Sequence, residues 1–149
     1  MKSRVAFLFA IVLGIVATLA ADKSTPAEDT AKLQGEWSMV SAERDGESLP
    51  ADMVKTWKRV AKMNEVTVTS DGQLFMRASF SVDPSKQPKA IDYDVTGGPY
   101  AGKQQLGIYE LSADGVKFCF ALPGQPRPTE FTTKTDSGRT LSSWVKNKQ

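Results

Sequence analysis

Glu65-Val66-Thr67-Val68-Thr69-Ser70-Asp71-Gly72-Gln73-Leu74-Phe75-Met76-Arg77-Ala78-Ser79-Phe80-Ser81-Val82 is the stretch on which the fold turns. Val66 and Val68 alternate with Glu65, Thr67 and Thr69. Beyond Asp71-Gly72, the residues Leu74, Met76, Ala78, Phe80 and Val82 alternate with Gln73, Arg77, Ser79 and Ser81. Successive side chains of a strand point to opposite faces, so each half presents one apolar face and one mostly polar face. Asp-Gly tolerates positive φ and suits a tight hairpin turn. The unit reads as an antiparallel hairpin with one dry side.

The same signature recurs outward in both directions. Asp45-Gly46, Gly97-Gly98, Asp114-Gly115 and Ser137-Gly138 are further turn signals. Between them lie short alternating or β-branched segments, at residues 34–44, 57–62, 65–69, 73–82, 90–95, 104–111, 116–122, 129–134 and 139–146. Strands at this spacing describe an all-β domain, a sandwich or a barrel. Short antiparallel links favour a meander, and a meander of this many strands best removes its open edges by closing. The expected fold class is an all-β, antiparallel up-and-down barrel of eight or nine strands with one short helix after the first strand. That helix is read from Met53, Val54, Trp57 and Val60, which stand at helical spacing behind Pro50. Trp57 either ends it or begins the next strand. Residues 83–89 and 123–128 are long for meander loops, and the second holds Pro123, Pro126 and Pro128. Prolines there stiffen the link and cannot enter a central strand.

Composition narrows the chemistry. In 149 residues there is one Cys and no His. A Ser-His-Asp triad, a Cys-His pair and an imidazole metal site are excluded, as is an internal disulfide. Met-Lys-Ser-Arg, an apolar run from Val5 and the small residues Ala20-Ala21 describe a secretory signal peptide over residues 1–21. The same run is at the short limit for an uncleaved membrane anchor. Lys2 and Arg4 account for the formal charge of +2. The chain from Asp22 onward is therefore neutral, which argues against a nucleic-acid partner. Residues 22–30 are polar and aperiodic and read as a flexible tether, leaving 31–149 as the barrel domain. Cys119 lies inside Val116-Lys117-Phe118-Cys119-Phe120-Ala121 and is expected to be a buried small hydrophobe.

Several blocks match a known pattern in order. Leu33-Gln34-Gly35-Glu36-Trp37 and Val40-Ser41-Ala42-Glu43-Arg44-Asp45-Gly46 come first. Asp83-Pro84-Ser85-Lys86-Gln87-Pro88-Lys89-Ala90-Ile91-Asp92 and Leu106-Gly107-Ile108-Tyr109-Glu110-Leu111 follow. Cys119-Phe120-Ala121 and Pro126-Arg127-Pro128-Thr129-Glu130-Phe131 complete the set. Together they resemble a family of uncharacterised exported domains common in planctomycete bacteria. That resemblance implies a lipocalin-like barrel and carries no activity with it. Gly35-x-Trp37 is similar to the Gly-x-Trp signature of lipocalins. The resemblance implies that Trp37 packs across the barrel floor under a basic residue of the last strand, here Arg139 or Lys146.

Candidate sites follow from the residue types. Trp37, Phe80, Tyr109, Phe118 and Phe120, with Trp144, are large side chains suited to lining an apolar pocket in a barrel mouth. A small eight-stranded barrel either closes on its own side chains or holds one small ligand, and the packing needs of a short chain weigh towards the filled core. Arg127 and Glu130 stand on the stiff proline loop, as a recognition patch or as a local ion pair that anchors the loop. Asp92, Asp94 and Glu110 are the one carboxylate set that could serve acid–base work, and a solvent-facing strand side explains them as well. Gly97 to Lys103 is glycine-rich but lacks a phosphate-loop ending, and reads as a hairpin link. No nucleophile elbow and no metal or cofactor motif is seen.

These residues point to a non-enzymatic, monomeric, exported binding module, periplasmic or extracellular, for a small apolar ligand or a partner protein of the envelope. It would meet the membrane only through its leader. The second reading is a structural or interaction module of the envelope with a filled core, working through loops 83–89 and 123–128.

Overall fold

A computed structural model describes residues 23–149, and the signal peptide expected at residues 1–21 lies outside them. Nine strands alternate in one antiparallel meander: β1 (Gly35–Arg44), β2 (Glu47–Ser48), β3 (Trp57–Lys62), β4 (Glu65–Ser70), β5 (Gln73–Asp83), β6 (Lys89–Gly97), β7 (Gln104–Leu111), β8 (Gly115–Phe120) and β9 (Thr140–Lys146). The order is β2-β1-β3-β4-β5-β6-β7-β8-β9, and β9 pairs back onto β1 over Trp37–Lys146 to Arg44–Thr140. Eight strands therefore form a closed barrel of the lipocalin-like kind, and β2 is a two-residue hairpin extension of β1. Closing a sheet demands strong local curvature, and bulges supply it. The pairings slip between Met39 and Ser41, between Val68 and Thr69, and between Arg77 and Ala78.

The Asp-Gly reading holds at two of its three places, since Asp114 and Gly115 have no positive φ and Gly115 already opens β8. Asp45 and Gly46 have φ of 51° and 83°, and Asp71 and Gly72 have 51° and 73°. Two consecutive positive φ values are the signature of the primed hairpin turn, whose twist matches that of paired strands.

Two expectations need correction, and a third is narrowed. Residues 22–30 are not a tether throughout, because Pro26–Lys32 forms helix α1. Thr25 accepts from the Glu28 amide at 3.2 Å and its own amide donates to Glu28 Oε2 at 2.8 Å, a reciprocal capping box with Pro26 at the first helical position. The short helix expected after the first strand is α2, one turn over Ala51–Val54, and of the two alternatives for Trp57 it is the second that holds, because Trp57 opens β3. Strand alternation displaces helical spacing here, with Arg59 and Ala61 buried while Lys58, Val60 and Lys62 are exposed. Residues 129–134 are no strand. β9 already occupies both neighbouring edges, pairing with β8 and β1, so the segment has no ladder to join. It crosses the outside of β8 instead. There it covers Cys119, whose Sγ lies 3.7 Å from the Thr132 carbonyl and whose thiol burial pushes up in pKa.

Burial divides the interior into two ends. α1 caps one end, with Leu33 fully buried above Trp37. Val66, Ala78, Phe80, Ile91, Tyr109 and Val116 belong to the same continuous core. At the other end the β1–β2 hairpin, α2 and the turns after β4, β6 and β8 surround an opening. Among the described residues no helix is long and apolar enough to cross a membrane.

Candidate functional site

The barrel is not filled to its open end. A cavity of about 410 Å³ lies there, within the roughly 300–1,000 Å³ range of small-molecule sites. Met39 of β1, Met76 of β5, Tyr93 of β6, Phe118 and Phe120 of β8 and Trp144 of β9 form its walls. These are the inward members of the alternating strands, so the cavity follows from the same period-2 pattern that made the barrel. Phe120 packs on Tyr93 with centroids 4.4 Å apart, and Phe118 stands 5.8 Å from Phe120. At the mouth the Trp57 and Phe75 rings meet edge to face at 4.6 Å. Met53 and Phe75 line the cavity and yet stay 51% and 43% exposed, which marks them as its apolar rim.

One charged group reaches the interior. Arg59 points inward from β3, is 1% exposed and lines the cavity. Its Nη1 donates to the Leu33 carbonyl at 3.2 Å, and that carbonyl also accepts the Trp37 indole N–H at 3.1 Å. Arg59 Nε and Nη2, and the Trp57 indole N–H, find no partner among the described residues. The guanidinium carbon sits 5.1 Å from the Phe118 ring centre and 5.9 Å from that of Phe80.

The residues expected to line a pocket separate. Phe118 and Phe120 do so, whereas Trp37, Phe80 and Tyr109 belong to the capped end and are absent from the cavity wall. Trp37 has the role that the lipocalin resemblance implied, and Lys146 is its basic neighbour, with Nζ 5.4 Å from the ring centre and 3.3 Å from the Lys32 carbonyl. Tyr109 is drawn into a buried network instead. Its hydroxyl donates to Asp29 Oδ2 at 2.6 Å, and Lys89 Nζ meets the same oxygen at 2.9 Å. Burial pushes the Asp29 carboxyl up, but hydrogen bonds from Tyr109, Lys89 and Ser24, with the Lys89 charge, together hold it below the ordinary value. Burial first, and then Asp29, push the Tyr109 hydroxyl well above its ordinary value.

Arg127 and Glu130 do not pair. Arg127 bonds to Asp92 Oδ1 at 2.6 Å and donates to the carbonyls of Ile91 and Gly107, while Glu130 is exposed. Arg127 therefore anchors the proline loop to the outside of β6 and β7. The three carboxylates do not converge. Asp92 takes Arg127, Asp94 accepts from Gln104 at 3.3 Å, and Glu110 faces Lys117 at 3.7 Å. Among the described residues no group of three potential metal ligands occurs.

Arg59, Trp57 and Asp29 escaped the sequence reading. For Arg59 the available signal was the Trp57-x-Arg59-x-Ala61 alternation, which helical spacing obscured. For Asp29 it was the Thr25-Pro26-x-Glu28 capping pattern that begins α1. Comparison with family models, with curated proteins and with solved structures finds no match for the chain.

Proposed function

We propose that this protein is an exported, non-enzymatic carrier that holds a small apolar ligand in the open half of its barrel. The observation that carries the reading is the cavity of about 410 Å³ walled by Met39, Met76, Tyr93, Phe118, Phe120 and Trp144. Protein interiors are close-packed, and a void of this size in so small a domain forfeits contacts that its lining residues would otherwise make. A ligand restores those contacts, which is the free energy that drives its uptake. The apolar rim at Met53 and Phe75 gives the ligand a dry path inward.

Native mass spectrometry and dye displacement on the purified chain test this. The expected result is saturable, one-to-one binding of a hydrophobic dye that a co-purified or added apolar molecule displaces. Unsaturable dye uptake with no co-purified ligand overturns it. Leu122→Trp enlarges a side chain that lines the cavity and should weaken or abolish dye binding.

A further inference from the structure

A buried guanidinium without a counter-charge is costly, because the effective desolvation penalty is several kcal/mol per ion. The faces of Phe118 and Phe80 return only a part of it, since a cation–π contact is weaker than a counter-charge. The single hydrogen bond to the Leu33 carbonyl occupies Nη1 alone. No carboxylate lies within ion-pair distance of Arg59 among the described residues, and none appears among the residues lining the cavity. The lining does contain a second cation, Arg44, near the rim. An apolar cavity with two arginines and no acid in its wall has an electrostatic preference of one sign.

Which nitrogens are free matters as much as the charge. Nε and Nη2 lie on the same edge of the planar guanidinium, and both are without partners among the described residues. Two parallel N–H donors on one edge match the two oxygens of a carboxylate in a bidentate pair. The orphan Trp57 indole N–H adds a further donor to the cavity wall.

We infer that the occupant of the cavity is an anionic amphiphile whose carboxylate is received by the Nε–Nη2 edge of Arg59, with its apolar body against the aromatic and methionine walls. This deepens, and rests on, the reading of the open half as a ligand site. The arrangement favours a chain with one terminal carboxylate over an alcohol or an amine of equal length. An alcohol leaves the guanidinium without its counter-charge, and a cation meets Arg59 and Arg44 with like sign.

Isothermal titration of the purified chain with decanoate, decanol and decyltrimethylammonium, each below its micelle concentration, tests the assignment. Decanoate is expected to bind at least about tenfold tighter than decanol, the scale of one charge-assisted hydrogen bond, and the cation weakest. In Arg59→Met the ratio of decanoate to decanol affinity should fall to about one. Arg59→Lys keeps the charge and loses the two-donor edge, so it should lie between the two and serves if the Met variant does not fold. Equal affinity for decanoate and decanol in the parent, or a preference unchanged in both variants, overturns the role of Arg59 and leaves the apolar site standing. Failure of all three chains and of a hydrophobic dye to bind overturns the ligand site itself.

Discussion

The capped and open ends of the barrel are built from the same eight strands and the same alternation, yet one is solid and the other hollow. The difference lies in what each end is given to close it. At the capped end α1 contributes Leu33 to the core, Trp37 lies beneath it, and Lys146 lies over the Trp37 ring. The donors there have partners, since Tyr109 and Lys89 converge on Asp29 Oδ2 and the Trp37 N–H reaches the Leu33 carbonyl, and the unpartnered atom at this end is an acceptor, Asp29 Oδ1. At the open end the connections are the turn after β4, the loops 98–103 and 121–139, and the four-residue α2. They leave Met53 and Phe75 half exposed and two donors of Arg59 without partners among the described residues. Stability is concentrated where the chain closes on itself, and the capacity to bind where it does not.

The sharpest way to break this comparison is to remove a ring from each end. Trp37 is 2% exposed within the continuous core, so Trp37→Ala should destabilise by about 3–5 kcal/mol. Phe120 is only half-buried and borders a void into which neighbours can relax. Phe120→Ala should cost about 1–2 kcal/mol, mainly the lost pairing with Tyr93 and Phe118. Urea unfolding of both variants decides it. Equal losses would mean that the two ends are packed alike.

The Asp29 network gives the capped end a pH signature. In the unfolded chain Asp29 titrates near about 3.9, and in the folded protein lower. Between those values the unfolded state binds more protons, so the network's contribution is full above the unfolded value and is lost as pH falls through the folded one. Tyr109 works in the opposite direction. Its folded value is raised, so the folded state holds its proton longer, and that contribution is lost as pH rises above about 10. Asp29→Asn should cost about 1–3 kcal/mol at pH 7, since Lys89 loses its counter-charge and the Tyr109 hydroxyl its charged acceptor. It should also flatten the acid limb of stability against pH. An acid limb unchanged in Asp29→Asn would assign it to other carboxylates.

Much of the fold was legible because a strand writes its burial into every second residue. Met76 to Phe80 alternates in burial as its pattern required, while Leu74, beyond the bulge opposite Val68 and Thr69, is exposed, and the Asp45-Gly46 and Asp71-Gly72 turns fall where positive φ is needed. Barrel closure follows, because a meander with a dry face has few other ways to lose its edges. The site was legible only in part. Phe118 and Phe120 face the cavity, but the same alternation places Trp37, Phe80 and Tyr109 on the inner face too, and a period cannot say how far along the barrel an inward residue sits. That depends on register and on α1, which were not readable from strand patterns. Arg59 was missed for a related reason. An arginine in an amphipathic strand is read as outward, and only the neighbouring Trp57 and Ala61 show that its position is inward.

The smallest expected effect is the one that separates the two ends most cleanly in sign. Removing a buried side chain normally costs stability, as with Trp37. Removing Arg59 takes away a cation buried without a counter-charge, and replacing such groups by apolar ones of similar volume is neutral or stabilising. The loss of its Nη1 bond strands nothing, because the Leu33 carbonyl still accepts the Trp37 indole N–H at 3.1 Å. The thioether of a methionine fills much the same space against Phe118 and Phe80. Arg59→Met in the ligand-free chain should therefore unfold between the parent midpoint and a gain of about 1 kcal/mol, read by urea titration. A loss of more than about 2 kcal/mol would show that the guanidinium is a structural member of the core like Trp37. The capped end would then extend further along the barrel than its hydrogen bonds suggest.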